Sequence, residues 1–338
     1  MMRRAWLGLL LCGLALGASA AGTTHRFAVI GHSFASKGGE ERLEQALGSA
    51  RDSDIAFIVA TGIKGAHEPC TDAVYSKRRE LFDEARRPVI VVPAASDWTG
   101  CVNSSGRDVP LERLNRLREL FYPDDFSRGA RQIELTRLSN TAKFRSYAED
   151  AHWVVGKVLY ATLNLPSNNN HYLNEAGRNN EFEDRMVAHR FWIKRVFTLA
   201  RRMHVEAVVL FSEGDLKALA DKPGLLSMLR RPSSTAQDGF AETRKLVTSL
   251  AQKFNGKVLL VDAAVPPAGA KPALVWRANL GHLSVGSETL QVDVTPGTAQ
   301  LFALAEKDGK DGNEKDEKDK GSGRHEKAVK SARKGPTN

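Results

Sequence analysis

Histidine and aspartate side chains are the residues of this chain best suited to bind a metal ion. A histidine cluster can bind zinc when spacing and outer hydrogen bonds cooperate. The candidates lie on different loops: His32, His67, His171 and His282, with Asp97, Asp215 and Asp262 as carboxylates. No His-x-His or His-Glu-x-x-His spacing joins any two of them. The pattern therefore favours polar loop histidines over a new metal site.

Nucleotide-binding and serine-nucleophile signatures are missing from the sequence. The segment 31–39 ends in Lys37-Gly38-Gly39, which superficially resembles a phosphate-binding loop. It lacks both the Gly-Lys-Ser/Thr order of a P-loop and the spacing of Gly-x-Gly-x-x-Gly. No Gly-x-Ser-x-Gly elbow occurs, and Ser33 has no identifiable base and acid partners. Nucleotide binding and serine hydrolysis are therefore not expected.

Short apolar runs and helical spacings alternate in the first half of the chain. Runs rich in β-branched residues at 26–30, 55–59 and 88–92 predict strands buried on both faces. Apolar residues at helical spacing predict intervening helices: Leu43, Ala46, Leu47 and Ala50, then Leu111, Leu114, Leu117 and Phe121. This order implies βαβ units and a parallel sheet, with functional residues in loops at the carboxyl ends of the strands.

The second half predicts longer strands and a basic helix. Residues 153–163 read as one long central strand, residues 190–203 as an amphipathic helix, and residues 207–211 and 257–262 as further strands. Runs at 274–278, 289–294 and 300–304 are strand-like and lie at hairpin spacing. Together the two halves predict an α/β sandwich of two mixed sheets with helices outside.

The two ends of the chain differ from its body. Residues 1–20 combine Arg3 and Arg4, an apolar run and Ala18-Ser19-Ala20, which predicts a cleaved export signal and a periplasmic or secreted protein. The apolar run is short for a membrane anchor, which is the alternative. Residues 306–338 are almost all polar or charged and predict a disordered tail. The globular domain should therefore comprise residues 21–305, with no transmembrane segment after cleavage.

Composition limits the partners. The chain has 338 residues, is 42% hydrophobic and carries a formal charge of +9. No aromatic residues alternate with the lysines of the tail, so nucleic acid is not an expected partner. We interpret the tail as a solubilising segment, with weak contact to anionic surfaces as the alternative.

Two motifs resemble those of the calcineurin-like metallophosphoesterases. The stretches IKGAHEPCTDAVY (63–75) and PAASDWTGC (93–101) are similar to an exported bacterial branch, whose motifs run roughly GDIKGGxEPCxDxxY and PGDNEWxDC. The resemblance implies a four-layer α/β/β/α sandwich. In working members it also implies a site with two divalent metals, such as manganese or zinc, that clamp a phosphate and activate water.

The metal-ligand positions of that family are changed in this chain. His32 stands where the first aspartate is expected, Gly62 where the bridging aspartate is expected, and Ala95 where the third motif has its ligand. Neither glycine nor alanine has a side chain that binds metal. The expected vestigial cleft comprises His32, Gly62, Lys64, Ala95, Ser96, Asp97, Asn164, Asn168 and Asp262.

These changes predict a metallophosphoesterase-like fold without its two metals. The favoured function is a non-catalytic binding or structural module with an unknown ligand or protein partner, no catalytic residues and no cofactor. The alternative is an active phosphoric ester hydrolase with a rebuilt or single-metal site. Trp98, Asn169 and Asn170 are also expected to line the cleft.

The cysteines predict one disulfide. Signal cleavage would remove Cys12 and leave Cys70 and Cys101 in an oxidising compartment. They follow neighbouring predicted strands, and the resembled family has cysteines at the same two motif positions. Two free, buried thiols are the alternative.

Overall fold

A computed structural model describes residues 23–35, 37–50, 54–174, 179–220, 237–267 and 269–305. The predicted export signal and the predicted disordered tail lie outside these residues. Within them, no helix is both long and apolar enough to cross a membrane.

The first sheet has five strands in the order β12-β11-β1-β2-β3. β1, β2 and β3 are parallel, as predicted, while β11 pairs with β1 and β12 with β11 in antiparallel fashion. The strands are β1 His25–Ile30, β2 Ile55–Thr61, β3 Val89–Val92, β11 Thr289–Val294 and β12 Phe302–Leu304. Helices α1 Gly39–Ser49, α2 Asp72–Asp83, α3 Ala95–Trp98 and α4 Pro110–Phe121 connect or follow its parallel strands.

The second sheet has seven strands in the order β4-β5-β6-β7-β8-β10-β9. β6, β7, β8 and β10 form a parallel centre, flanked by antiparallel pairs on both sides. The strands are β4 Thr136–Arg137, β5 Ala151–Val155, β6 Val158–Thr162, β7 Ala207–Phe211, β8 Lys257–Asp262, β9 Val275–Arg277 and β10 Leu280–Ser284. Helices α5 Asn180–Arg202 and α6 Ala241–Gln252 pack on it.

Three apolar clusters show the order of the layers. One lies between the two sheets and includes the stacked rings of Phe27 and Phe57 against Tyr160. A second joins the outer face of the first sheet to α1, α2 and α4. A third joins the outer face of the second sheet to α5 and α6. The predicted four-layer α/β/β/α sandwich of two mixed sheets is therefore confirmed.

One local prediction was wrong, and one strand was not predicted. The single long strand predicted at 153–163 is a hairpin, because Gly156 adopts a φ of 57° and turns the chain between β5 and β6. Strand β10 was not predicted, because Gly281 interrupts its apolar pattern. A side chain at Gly281 would lie 2.6 Å from the Trp276 ring, so the neighbouring strand requires glycine there.

Candidate functional site

A cleft of about 1550 Å³ lies at the carboxyl ends of the parallel strands. Its walls come from the loops after β1, β2 and β3 of one sheet and after β6 and β7 of the other. Two hydrogen bonds join these walls: Ala95 N–H donates to Glu213 Oε2 at 2.6 Å, and Asn168 Nδ2 donates to Thr99 Oγ1 at 2.9 Å. The sandwich thus gathers five loops into one site, as such folds generally do.

Asp97 is the buried anchor beneath this cleft. Its side chain is fully buried and accepts three backbone N–H bonds, from Ile63 at 2.9 Å, Lys64 at 3.0 Å and Ala94 at 2.6 Å. Burial raises the pKa of Asp97, although His32 and these backbone donors oppose that effect. The carboxylate therefore holds the loops after β2 and β3 together, and both of its oxygens already have donors.

His32, Ser96 and Lys64 form a short hydrogen-bonded chain on the cleft wall. Ser96 Oγ donates to the Lys64 carbonyl at 2.9 Å, so it accepts from His32 Nε2 at 2.8 Å. This arrangement places the imidazole proton on Nε2. Burial lowers the pKa of His32, which favours the neutral ring. Among the described residues, the buried Nδ1 has no hydrogen-bond partner.

Gly62 lies against the other side of that imidazole. Its φ is 83°, a left-handed conformation that favours glycine. A Cβ atom built at this position would lie 2.9 Å from His32 Nδ1. An aspartate at this position would therefore be strained and would displace His32.

Two basic side chains of the cleft, Lys64 and Arg78, already have partners. Lys64 is 1% exposed and its Nζ donates to the Gly65 carbonyl at 2.8 Å. Burial lowers the pKa of Lys64, and the carboxylates of Asp97 and Glu68 offset this only in part. Arg78 bonds Glu68 at 2.7 Å and also Glu40. The charge of Arg78 is therefore neutralised by two carboxylates of the same wall.

Glu213 is a titratable residue that the sequence reasoning did not single out. It is 5% exposed, lines the cleft, and accepts from Ser167 N–H at 2.8 Å and Ser167 Oγ at 3.0 Å as well as from Ala95. Burial raises the pKa of Glu213 to about 7, against the opposing effect of the bonds from Ser167 and Ala95. The sequence signal that could have identified Glu213 is its position two residues after the predicted strand β7.

The predicted cleft residues divide into three groups. Those that line the cleft are His32, Lys64, Ala95, Ser96 and Asn168. Gly62 and Asp97 lie directly beneath this wall, in contact with its residues. Asn164 and Asp262 are buried in networks of their own, Trp98 and Asn170 are fully buried, and Asn169 bonds to the backbone of Gln237 and Gly239. The structure therefore does not place these five on the cleft wall.

Asn164 belongs to a buried charge network under the loop after β6. Its Nδ2 donates to Glu149 Oε1 at 3.0 Å, and Glu149 in turn pairs with Arg118. The fully buried Arg185 donates to the Asn164 carbonyl at 2.9 Å and to Glu181 at 2.6 Å. This network holds the polar loop in place, and the asparagine side chain is part of the support.

The loop histidines do not converge on one point. His171 bonds Glu181 at 3.0 Å and packs its edge on Trp98, while His67 is exposed on the cleft wall. His282 instead approaches Asp262 at 2.6 Å and Asp215 at 3.5 Å. Burial disfavours the imidazolium, but the two carboxylates outweigh it and raise the pKa of His282.

The cysteine prediction is confirmed. Cys70 and Cys101 form a disulfide with a Cα–Cα distance of 5.7 Å. The bond joins the loop after β2 to the segment after α3, and Cys70 lines the cleft. It therefore stabilises the same wall that Asp97 supports from beneath.

The positions that the motif comparison aligns with metal ligands offer few atoms for two divalent cations. Such a pair, about 3.5–4 Å apart, needs several charged oxygen or imidazole ligands. Gly62 and Ala95 offer no ligand atom, and the Ser96 hydroxyl donates to a carbonyl. The carboxylates of Asp97 and Glu213 are bonded to backbone N–H groups.

Comparisons with known proteins add little to the description of the cleft. No protein-family model matches the chain, and no curated protein matches it. A crystal structure of phosphopantetheinyl hydrolase from Mycobacterium tuberculosis is similar at 10% sequence identity and a TM-score of 0.38, covering 86% of this chain and 99% of that chain. A likeness this weak carries no argument about activity. Membership of the calcineurin-like family, which the motifs predicted, stays a prediction.

Proposed function

We propose that this protein is an exported, non-catalytic binding module with a metallophosphoesterase-like sandwich. The observation that carries the proposal is the hydrogen bonding of the carboxylates near the strand ends. Asp97 and Glu213 accept five backbone N–H bonds between them, and Gly62 and Ala95 provide no ligands. These carboxylates support loops, so they are not available to hold catalytic cations.

The chemistry of the cleft walls favours an uncharged or weakly charged polar ligand. Arg78 is neutralised by Glu40 and Glu68, and the lining also includes Lys37, Glu41 and Glu213, so the two signs are nearly balanced. Short hydroxyl and amide side chains make up much of the rest: Ser96, Thr99, Asn103, Ser104, Ser167 and Asn168. Small-molecule sites usually measure about 300–1,000 Å³. The larger cleft therefore suits an extended ligand that is recognised through hydrogen bonds.

Export is the second part of the proposal. The disulfide is typical of proteins from an oxidising compartment, which agrees with the predicted signal at residues 1–20. Mass spectrometry of material from outside the cytoplasm should give an N-terminus near Ala21. Protein that keeps Met1 and stays in the cytoplasm would contradict this part.

The catalytic question is tested by assaying the mature protein against p-nitrophenyl phosphate and its bis ester, with and without added manganese. We expect no turnover above a matched blank. His32→Ala and Glu213→Gln serve as cleft variants, and His67→Ala, an exposed residue on the same wall, serves as the control. Manganese-dependent turnover that disappears in His32→Ala but not in His67→Ala would overturn the proposal. It would establish the alternative, a phosphoric ester hydrolase with a rebuilt site.

A further inference from the structure

Three side chains with metal-binding atoms converge away from the cleft, on the helix-covered side of the seven-stranded sheet. Asp262 ends β8, and its neighbours Val258 and Leu260 on the same strand face pack into the cluster with α5 and α6. His282 lies on β10 beside β8, and the register pairs Ser284 with Asp262. Asp215 reaches the same place from the loop after β7. None of the three lines the cleft.

We propose that Asp215, Asp262 and His282 form a binding site for a single divalent transition-metal ion, with Zn²⁺ as the best fit. One oxygen or nitrogen atom from each lies within 4.8 Å of the other two. Two carboxylates and one neutral imidazole give the site a net charge of about −2, and this mixed set suits zinc better than magnesium or calcium, which prefer oxygen ligands.

The two distances from His282 require only a small adjustment. Zinc bonds of about 2.0–2.2 Å in a tetrahedral site place ligand atoms about 3.4 Å apart. The His282 Nε2 to Asp215 Oδ1 distance is already 3.5 Å. This oxygen also accepts from Lys217 N–H at 2.6 Å, and its second lone pair is left for the ion. The His282 Nε2 to Asp262 Oδ2 distance is 2.6 Å, so these two side chains must separate by about 0.8 Å. Side-chain rotation can supply a shift of this size without moving the strands.

Outer hydrogen bonds orient one of the ligands. Asp262 is 3% exposed, and its Oδ1 accepts from Ser284 Oγ at 2.8 Å and from Ala264 N–H at 3.0 Å. Oδ2 is thereby left to face His282 and Asp215. Bonds of this kind to a non-ligating oxygen are typical of metal-bound carboxylates and increase affinity.

The exposure of the other two ligands allows an ion to enter. The side chains of His282 and Asp215 are 21% and 25% exposed. Water can therefore complete the coordination. Because Asp215 is two residues from Glu213, a bound ion would link the loop after β7 to β8 and β10 and so restrict the cleft wall that Glu213 forms.

The test is titration of tag-free, chelator-treated mature protein with Zn²⁺ alone, followed by isothermal calorimetry, and with Co²⁺ alone, followed by visible absorption. We expect one equivalent of Zn²⁺ and, with Co²⁺, visible absorption bands that saturate at one equivalent. Asp215→Asn and His282→Gln should each weaken zinc binding at least tenfold. Ser284→Ala, which removes an outer hydrogen bond, should weaken it about tenfold.

His32→Ala and His67→Ala are the matched controls and should bind zinc like the parent protein. Circular dichroism and thermal unfolding establish that each variant is folded, and Asp215→Asn is the variant least able to disturb folding because its side chain is partly exposed. Absence of stoichiometric zinc binding by the folded parent would overturn the proposal. So would zinc binding that is unchanged in Asp215→Asn and His282→Gln, or that is lost in His32→Ala.

Discussion

The cleft and the cluster of Asp215, Asp262 and His282 both have acidic side chains at the carboxyl ends of strands. The two regions differ in the hydrogen bonds that these carboxylates accept. In the cleft, Asp97 accepts three backbone N–H bonds and Glu213 accepts two. In the cluster, Asp262 is held at Oδ1 by Ser284 and Ala264, and its Oδ2 faces His282. Asp215 is bonded to Lys217 N–H and remains partly exposed.

The difference shows that a carboxylate at a strand end indicates a function only when its hydrogen-bond donors are also known. A carboxylate that accepts several backbone N–H bonds from neighbouring loops acts as a loop support, because removing it leaves several buried donors unsatisfied. A carboxylate with one oxygen directed at an imidazole remains able to exchange that partner for a cation. The two regions should therefore respond in opposite ways to mutation.

The largest effect is expected at Asp97. Asp97→Ala leaves the buried N–H groups of Ile63, Lys64 and Ala94 without an acceptor, which should lower the free energy of unfolding by about 4 kcal/mol. Urea denaturation at neutral pH measures it. Asp97→Asn retains one acceptor oxygen and should lose about half as much. Asp215→Asn, the matched change in the cluster, should stay within about 0.5 kcal/mol of the parent. Equal losses at Asp97 and Asp215 would remove the contrast between the two regions.

The disulfide should have the next largest effect. A Cys70→Ser/Cys101→Ser protein loses a cross-link with a sequence separation of 31, which should cost about 3 kcal/mol, chiefly by freeing the unfolded chain. Hydrogen exchange should speed up in the loops after β2 and β3, while zinc affinity at the cluster should not change. A uniform increase in exchange across both sheets would contradict a local role for the bond.

The sequence allowed the architecture to be predicted because buried parallel strands have a strong local signature. The β-branched runs of β1, β2 and β3 and the spacing of the helices between them do not depend on distant contacts. The hairpin at Gly156 was missed because both of its strands are apolar and only one glycine separates their pattern. β10 was missed because its central glycine is required by a distant contact: the Trp276 ring on the adjacent strand leaves no room for a side chain at Gly281.

The site was less predictable because it depends on which loops meet. The motif comparison identified Gly62 and Ala95, since those substitutions are visible residue by residue. It did not identify Glu213, whose importance comes from donors 46 and 118 residues away. The grouping of His282 with Asp215 and Asp262 depends on the register of the unpredicted strand β10. Spacing along the chain could not rank that trio above the other histidines.

The third prediction concerns the pH dependence of stability. Because the pKa of Glu213 is raised from 4.5 to about 7 in the folded protein, its stabilising contribution is present below about pH 4.5 and is lost as the pH rises through about 7. Between pH 5 and 8 this loss should be about 2 kcal/mol. The unfolding free energy of the parent minus that of Glu213→Gln should therefore fall by about 2 kcal/mol between pH 5 and 8. A difference that is constant over this range would mean that Glu213 titrates at an ordinary value.

The smallest effect concerns whether His32 prevents an aspartate from occupying position 62. Gly62→Asp places a side chain in a left-handed conformation and against His32 Nδ1, so it should lower the free energy of unfolding by about 1–2 kcal/mol. In His32→Ala the steric conflict is gone, and adding Gly62→Asp should then cost only the backbone strain, about 1 kcal/mol. A double-mutant cycle by urea denaturation measures this coupling.

Neither variant should gain a second equivalent of zinc, because Ala95 still offers no ligand. Additive stability effects would show that His32 does not block the position, and a second bound ion would show that the cleft needs only one carboxylate to recover a metal.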